Sequence, residues 1–144
     1  KEYYIGVLGN HRLTTLPPWE LKFENSENPE KEFYSSHAKF NFKYRQRKGI
    51  KTGPANLPPE VVKQMSRLAK NCYRALYLNG YARIDFRVNS QGRIFVLEAN
   101  PNPDISEFDD FAESAKHIHI SYHSLIKKII TLGRSWNPTA SLYY

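Results

Sequence analysis

The chain has 144 residues, with 21 Lys and Arg against 14 Asp and Glu, a net charge of +7 and 40% hydrophobic content. That length fits one domain or a large piece of one, and 10 Tyr with 8 Phe exclude a disordered chain. No run approaches a membrane span, no signal-peptide pattern opens the sequence, and the single Cys72 excludes an internal disulfide, in keeping with a cytoplasmic protein.

Lys1 leads straight into a strand without an initiator methionine, so the expectation is a piece of a longer or processed protein. Glu2 to Asn10 reads as that strand, with a partner at Trp19 to Phe23 after the Pro17-Pro18 break. Residues 25–32 form a polar loop, and Phe33 to Asn56 shows neither helical nor strand period. A loop of that length is functional or mobile. Within it Lys39, Lys43, Arg45, Arg47 and Lys48 alternate with Phe40, Phe42 and Tyr44. Such a stretch suits a nucleic-acid backbone, a nucleotide triphosphate or plain solvated surface. No Gly-rich phosphate loop of the Walker or dinucleotide type occurs.

Leu57-Pro58-Pro59-Glu60 opens a helix. Its apolar stripe is Val61, Met65, Leu68, Ala69, Cys72, Tyr73 and Leu76, and it stops at Asn79-Gly80. Cys72 lies on the stripe and reads as a core thiol. A hairpin follows, Tyr81–Val88 and Arg93–Asn100, turned at Asn89-Ser90-Gln91-Gly92. Beyond Pro101-Asn102-Pro103-Asp104, Ser106 suits an N-cap with Glu107, Asp109 and Asp110 in the first turn, and Ser121 caps a last helix ended by Gly133. His117, His119 and His123 have no fourth ligand nearby, which argues against zinc.

The hairpin carries the chemistry. Ala82, Ile84, Phe86 and Val88 alternate with Tyr81, Arg83, Asp85 and Arg87, the period of a half-buried strand. Ile94, Val96, Glu98 and Asn100 are expected to share a face of the second strand, so that Arg83, Asp85, Glu98 and Asn100 converge. Cross-strand ion pairs on a solvated surface would explain Arg83, Asp85 and Arg87. They explain Glu98 less well, because the apolar run Ile94–Leu97 before it predicts a strand buried on both faces. Two carboxylates and an amide oxygen are hard ligands suited to magnesium, and a cation with an arginine serves phosphate.

Gly80-Tyr81-Ala82-Arg83-Ile84-Asp85-Phe86 together with Val96-Leu97-Glu98-Ala99-Asn100-Pro101-Asn102-Pro103 resembles the C-terminal part of ATP-grasp ligases, in the branch of the D-alanine–D-alanine ligases and their relatives. The resemblance runs from about Glu2 to Gly133. It implies an α+β fold, a mostly antiparallel sheet with flanking helices, over residues 1–134. Within it, 33–56 would be a mobile loop on the phosphate side, with 135–144 a tail. It further implies an ATP- and magnesium-dependent carboxylate–amine ligase working through an acyl phosphate. Asp85, Glu98 and Asn100 would hold two magnesium ions, and Arg83 the transferring phosphate. Lys39 would reach ATP phosphate, and Glu2 the ribose. Partners would be ATP, a small carboxylate, an amine and the preceding ATP-grasp subdomain; a homodimer is left open. Nucleic acid and membrane are not the expected partners; the alternative reading of the residues is a non-catalytic nucleic-acid- or nucleotide-binding module using the basic aromatic loop 39–48.

Three positions depart from that branch. Phe40 stands where a tyrosine is usual, Asp104 where a glycine follows the proline, and Asp109 near a serine that contacts the second substrate. A carboxylate at Asp104 would repel an anionic substrate. These departures imply a substrate other than a pair of D-alanines.

Overall fold

The centre of the fold is β1, residues Glu2–Leu8, which is buried from Tyr3 to Leu8. In the computed structural model, which describes residues 1–23, 25, 43, 46, 47 and 49–137, β1 has neighbours on both edges. On one edge it pairs with β2 (Thr14–Thr15) and β3 (Trp19–Phe23); on the other with a later strand, β5 (Tyr81–Val88). β4 (Ile50–Pro54) extends the sheet beyond β3, and β6 (Ile94–Asn100) extends it beyond β5. The order is β4-β3-β1-β5-β6 with β2 beside β1, and every pairing among the described residues is antiparallel. With its helices this is the expected α+β fold.

Alternation along β1 sends odd and even residues to opposite faces. Tyr3, Ile5 and Val7 join Ala82, Ile84 and Phe86 of β5 against Met65, Ala69 and Tyr73 of α1 (Pro59–Ala75). Val61, Leu68 and Cys72 pack at the margin of this cluster, whereas Leu76 falls beyond the helix and is exposed. Burial raises the Cys72 pKa, as suits a core thiol. α1 starts with Pro59 in its first turn and ends before Asn79-Gly80. There the Leu78 N–H donates to the Tyr73 carbonyl and the Tyr77 N–H to the Arg74 carbonyl, with Tyr77 itself at φ 53°. That is a Schellman stop with a tyrosine in the left-handed position.

On the other face Leu8 and Leu16 pack against Phe111, Ala112 and Ala115 of α2 (Asp110–His117) and Leu125 of α3 (Tyr122–Arg134). Gly6 permits this approach: a Cβ there would lie 2.6 Å from Leu16 Cδ1 and 2.8 Å from Phe111 Cε2. The apolar packing gathers at the Leu8 end of the face, while the Glu2 end lines an open cleft.

Several local expectations are corrected. The segment without period contains β4, whose five residues Ile-Lys-Thr-Gly-Pro carry too little alternation to announce a strand and are held by pairing with β3. The cap of α2 is Asp109, not Ser106; the Ser106 carbonyl instead accepts from the Asp109 N–H in a preceding turn, leaving Glu107 outside the helix. Gly133 lies inside α3, which ends at Arg134, whereas Ser121 does cap it, its Oγ accepting from the Ser124 N–H at 3.3 Å. β6 is not buried on both faces: Phe95, Val96 and Leu97 are exposed, because no further strand covers this edge among the described residues.

Candidate functional site

The hairpin turn decides where the polar residues of β6 point. Val88 pairs with Ile94, so Asn89–Arg93 forms a five-residue loop, one longer than expected. The Asn89 side chain accepts from the Gln91 and Arg93 N–H groups, and Gly92 takes φ 77°. Continued without a break, that register would set Leu97 opposite Asp85 and turn Glu98 toward the core. A β-bulge intervenes: Val96 pairs with Phe86, yet Glu98 pairs with Asp85, leaving Leu97 as the extra residue. Glu98 therefore stands opposite Asp85 and Asn100 opposite Arg83. Ile94 and Val96 do not share the face of Glu98 and Asn100, contrary to expectation, yet the four polar residues meet.

The register of the whole sheet arranges this face in rows. One row runs Trp19, Tyr4, Asp85, Glu98 across four strands, and the next runs Thr52, Leu21, Glu2, Arg87. Arg83 donates from Nε to Asp85 Oδ1 at 2.7 Å and from Nη2 to Oδ2 at 2.8 Å, a bidentate pair. Its Cζ lies 5.1 Å from the Tyr4 ring centroid. Glu98 is looser: its Oε1 is 4.0 Å from Arg83 Nη2, and its side chain is 51% exposed. Glu2 accepts from Arg87 Nη1 at 2.8 Å. Asn100 Oδ1 accepts from the Asn102 N–H, an Asx turn that fixes the amide and leaves the oxygen a second lone pair.

Glu2, Tyr4, Arg83, Asp85, Arg87 and Glu98, with Leu97 and Asp110, line a cleft of about 340 Å³. Burial would weaken the charge on Arg83, but Asp85 beside it more than offsets this and its pKa is raised. The strain falls on the carboxylate side: burial foremost, then Glu98 opposite, outweigh Arg83 and push Asp85 above the usual range. Like charges directly opposed across a sheet are unfavourable, so this pair calls for a counter-charge. A hard divalent cation between Asp85 and Glu98 would meet that need, whereas Asn100 stands opposite Arg83 in the register and is not among the residues lining the cleft.

Sequence reasoning placed Arg87 on this face but did not find Tyr4, Leu97, Asp110 and Thr52 as parts of it. Tyr4 shares the even phase of β1 with Glu2, a signal that was present. Burial of its hydroxyl foremost, then the charge of the neighbouring Asp110 carboxylate and a side-chain hydrogen bond to it, raise its pKa. The Thr52 hydroxyl donates to Asp110 Oδ1 at 2.5 Å, a contact no local pattern predicts.

Lys39 and Phe40 lie outside the described residues, as do most of the basic segment 39–48 and the tail from 138 onward. Asp104 does not point into the cleft: its carboxylate accepts from the Ser106 N–H and Oγ, which lowers its pKa, and its backbone is not left-handed. Asp109 has its pKa raised by burial foremost and by Asp110 and Asp104. The histidines do not gather. His117 packs edge-on against Trp19 at 5.9 Å, and His119, at φ 63°, forms the Schellman stop of α2. Among the described residues no group of three His, Cys, Asp or Glu side chains is placed to hold a metal.

Comparison with known proteins identifies relatives. A family model described as D-ala D-ala ligase C-terminus matches residues 1–131. A D-alanine–D-alanine ligase of Streptococcus thermophilus is 31% identical over 134 residues, 93% of this chain and 36% of that protein. One from Halothermothrix orenii is 30% identical over 133 residues, 92% of this chain and 36% of its own length. Among solved structures, a D-alanine–D-alanine ligase from Bacillus anthracis complexed with ATP superposes with a TM-score of 0.67 at 21% identity, covering 91% of this chain and 37% of that one. The VanG D-Ala:D-Ser ligase from Enterococcus faecalis gives 0.69 at 22% identity, covering 91% and 35%. The chain thus spans about a third of the length of the relatives it matches.

Proposed function

Because the chain belongs to the D-ala D-ala ligase C-terminal family, an ATP-grasp fold, we propose that it supplies the metal- and phosphate-binding half of an ATP- and magnesium-dependent carboxylate–amine ligase. On this reading residues 1–134 form the C-terminal subdomain, with the segment from 33 to 49, ahead of β4, on its phosphate side. The preceding ATP-grasp subdomain completes the nucleotide site, and the chain by itself does not turn over. The protein works in the cytoplasm.

The observation that carries the reading is the bidentate Arg83–Asp85 pair with Glu98 directly opposite, on the wall of an open cleft. Asp85, Glu98 and Asn100 would hold magnesium, which when bound supplies charge neutralisation to the phosphate oxygens. Arg83 is oriented by Asp85 and Tyr4, and the guanidinium N–H groups not used by Asp85 are left for a phosphoryl oxygen. Preorganised charge of this kind is most of what phosphoryl transfer requires. Glu2, held by Arg87 at the cleft's other end, would receive the ribose, and Lys39 the triphosphate. The substrate carboxylate attacks the γ-phosphorus, ADP leaves, and an amine displaces phosphate from the acyl phosphate.

The substrates differ from two D-alanines, and the carboxylates nearest the cleft support this better than Asp104 does. Asp104 is occupied by Ser106, whereas Asp110 lines the cleft and Asp109 adjoins it.

In the full-length protein, Asp85→Ala and Glu98→Ala are expected to abolish magnesium-dependent ATP binding and ADP formation. Retention of both activities by either variant overturns the proposal.

A further inference from the structure

We propose that the outer face of α1, together with the hollow at its C-terminal end, binds single-stranded nucleic acid. The proposal does not rest on the ligase reading, and the surface is separate from the basic loop of 39–48.

α1 carries Lys63, Arg67, Lys70 and Arg74, of which all but the half-buried Lys70 are exposed. At about 100° and 1.5 Å per residue the four fall within an arc of about 60° and span about 16 Å. They form a straight stripe on the side away from the core residues Met65, Ala69 and Tyr73. None of them has a carboxylate partner among the described residues. The one acid of α1, Glu60, lies in its first turn. Lys63 and Arg67, Arg67 and Lys70, and Lys70 and Arg74 are successive like-charge neighbours at helical spacing, which is unfavourable. A surface serving solubility alone intersperses both signs. The helix dipole accounts for Arg74 only.

The stripe ends at a hollow of about 380 Å³ lined by Arg74, Tyr77, Asn79 and Trp136 among others, with no carboxylate among its described residues. Tyr77 is 68% exposed and Trp136 51%. Tyr77 holds φ 53°, where glycine or asparagine would end α1 with less strain. A tyrosine there presents its ring to solvent beside Arg74. A single strand requires this combination, spaced cations for its phosphates and flat rings on which its bases stack. A membrane surface is flat and makes no use of a hollow. An acidic helix of another protein would match the stripe but leave Tyr77 and Trp136 without a role. The ATP cleft is remote: α1 covers the face of Tyr3, Ile5 and Val7, and the cleft's Tyr4 and Asp85 occupy the other. Asn10, at the hollow, is about 26 Å along β1 from Glu2, at the cleft.

The test is fluorescence anisotropy of the full-length protein with labelled oligothymidylate and oligouridylate of about 12 nucleotides, a length within single-strand site sizes. Binding is expected at low salt, and log affinity should fall against log salt with a slope of about −3, roughly 0.7 for each of four phosphates. Arg67→Gln with Lys70→Gln should halve that slope and raise Kd by about 10-fold or more. Trp136→Ala, and Tyr77→Asn, which keeps the left-handed turn, should each raise Kd about 10-fold through a lost stacked base. Lys127→Gln with Lys128→Gln removes the same charge from α3 and should leave Kd unchanged. Melting temperatures close to that of the parent protein exclude unfolding as the cause. Either oligonucleotide bound in this way supports the proposal, and the tighter one identifies the sugar. No binding at low salt, or stripe variants that bind like the parent, overturns it. So does loss confined to Lys43→Gln with Arg45→Gln, which assigns binding to the loop. Preference for polyglutamate or for phosphatidylglycerol vesicles over both oligonucleotides also overturns it, in favour of an acidic protein or a membrane.

Discussion

Arg83 and Asp85, two residues apart on one face of β5, form a bidentate ion pair, with side chains only 12% and 17% exposed. A pair so enclosed makes each partner dependent on the other. Asp85→Ala leaves the guanidinium uncompensated, at a cost of about 3–5 kcal/mol. Glu98 stands opposite the same carboxylate but is half-exposed and only 4.0 Å from Arg83. Without metal, Glu98→Ala removes a like charge from Asp85 and is expected to leave stability unchanged or slightly higher. Urea unfolding of both variants checks the contrast, and equal losses would refute it. Stability and metal binding should separate at Glu98 and coincide at Asp85.

Gly6 is set by packing rather than by backbone conformation. With Leu16 and Phe111 carbons inside 3 Å of the site of a Cβ, Gly6→Ala should cost about 1–3 kcal/mol through overpacking. The melting temperature reports the loss. Because Phe111 belongs to α2, the variant should also displace Asp110 and weaken any ligand held there.

The Tyr73 hydroxyl donates to the Gly9 carbonyl at 2.8 Å, a fully buried bond tying α1 to the end of β1. Tyr73→Phe leaves that carbonyl without this donor and should cost about 1–2 kcal/mol. Chemical denaturation measures it, and amide exchange near Gly9 and Gly80 should quicken, since Gly9 also donates to the Gly80 carbonyl.

Asp109 offers a pH test. Burial foremost, then Asp110 and Asp104, raise its pKa in the fold above the unfolded value. The folded state therefore binds more protons than the unfolded one between those two values, and stability falls as pH rises through that interval. The penalty is absent below the unfolded pKa and complete above the folded one. Asp109→Asn, an equally good cap residue, should stabilise the protein at neutral pH. The advantage should shrink as pH falls through the folded pKa and disappear below about pH 3.9, the ordinary aspartate value. Asp104 has the opposite sign. Its hydrogen bonds from Ser106 lower its pKa, so its small contribution is present above the ordinary carboxylate value and lost on acidification through the lowered one. An Asp109→Asn advantage that persists unchanged into acid would contradict the assignment.

The sequence by itself determined the local matters: the alternation of β5, the apolar stripe of α1, the Ser121 cap, and the residue types of the hairpin face. These follow from periodicity and capping chemistry, which act over a few residues. The family followed too, since the strings around Arg83–Asp85 and Glu98–Asn100 are distinctive. Tertiary structure decided the rest. Whether Glu98 faces Asp85 or the core depends on a five-residue turn and a bulge at Leu97, which compensate each other and leave no hydrophobic signature. β4 exists because β3 offers it an edge, not because its residues favour a strand. Tyr4, Thr52 and Asp110, from three separate segments, approach one another only after the sheet and α2 have packed. The exposure of Phe95, Val96 and Leu97 likewise follows from the position of β6 at the edge, which an apolar run cannot disclose.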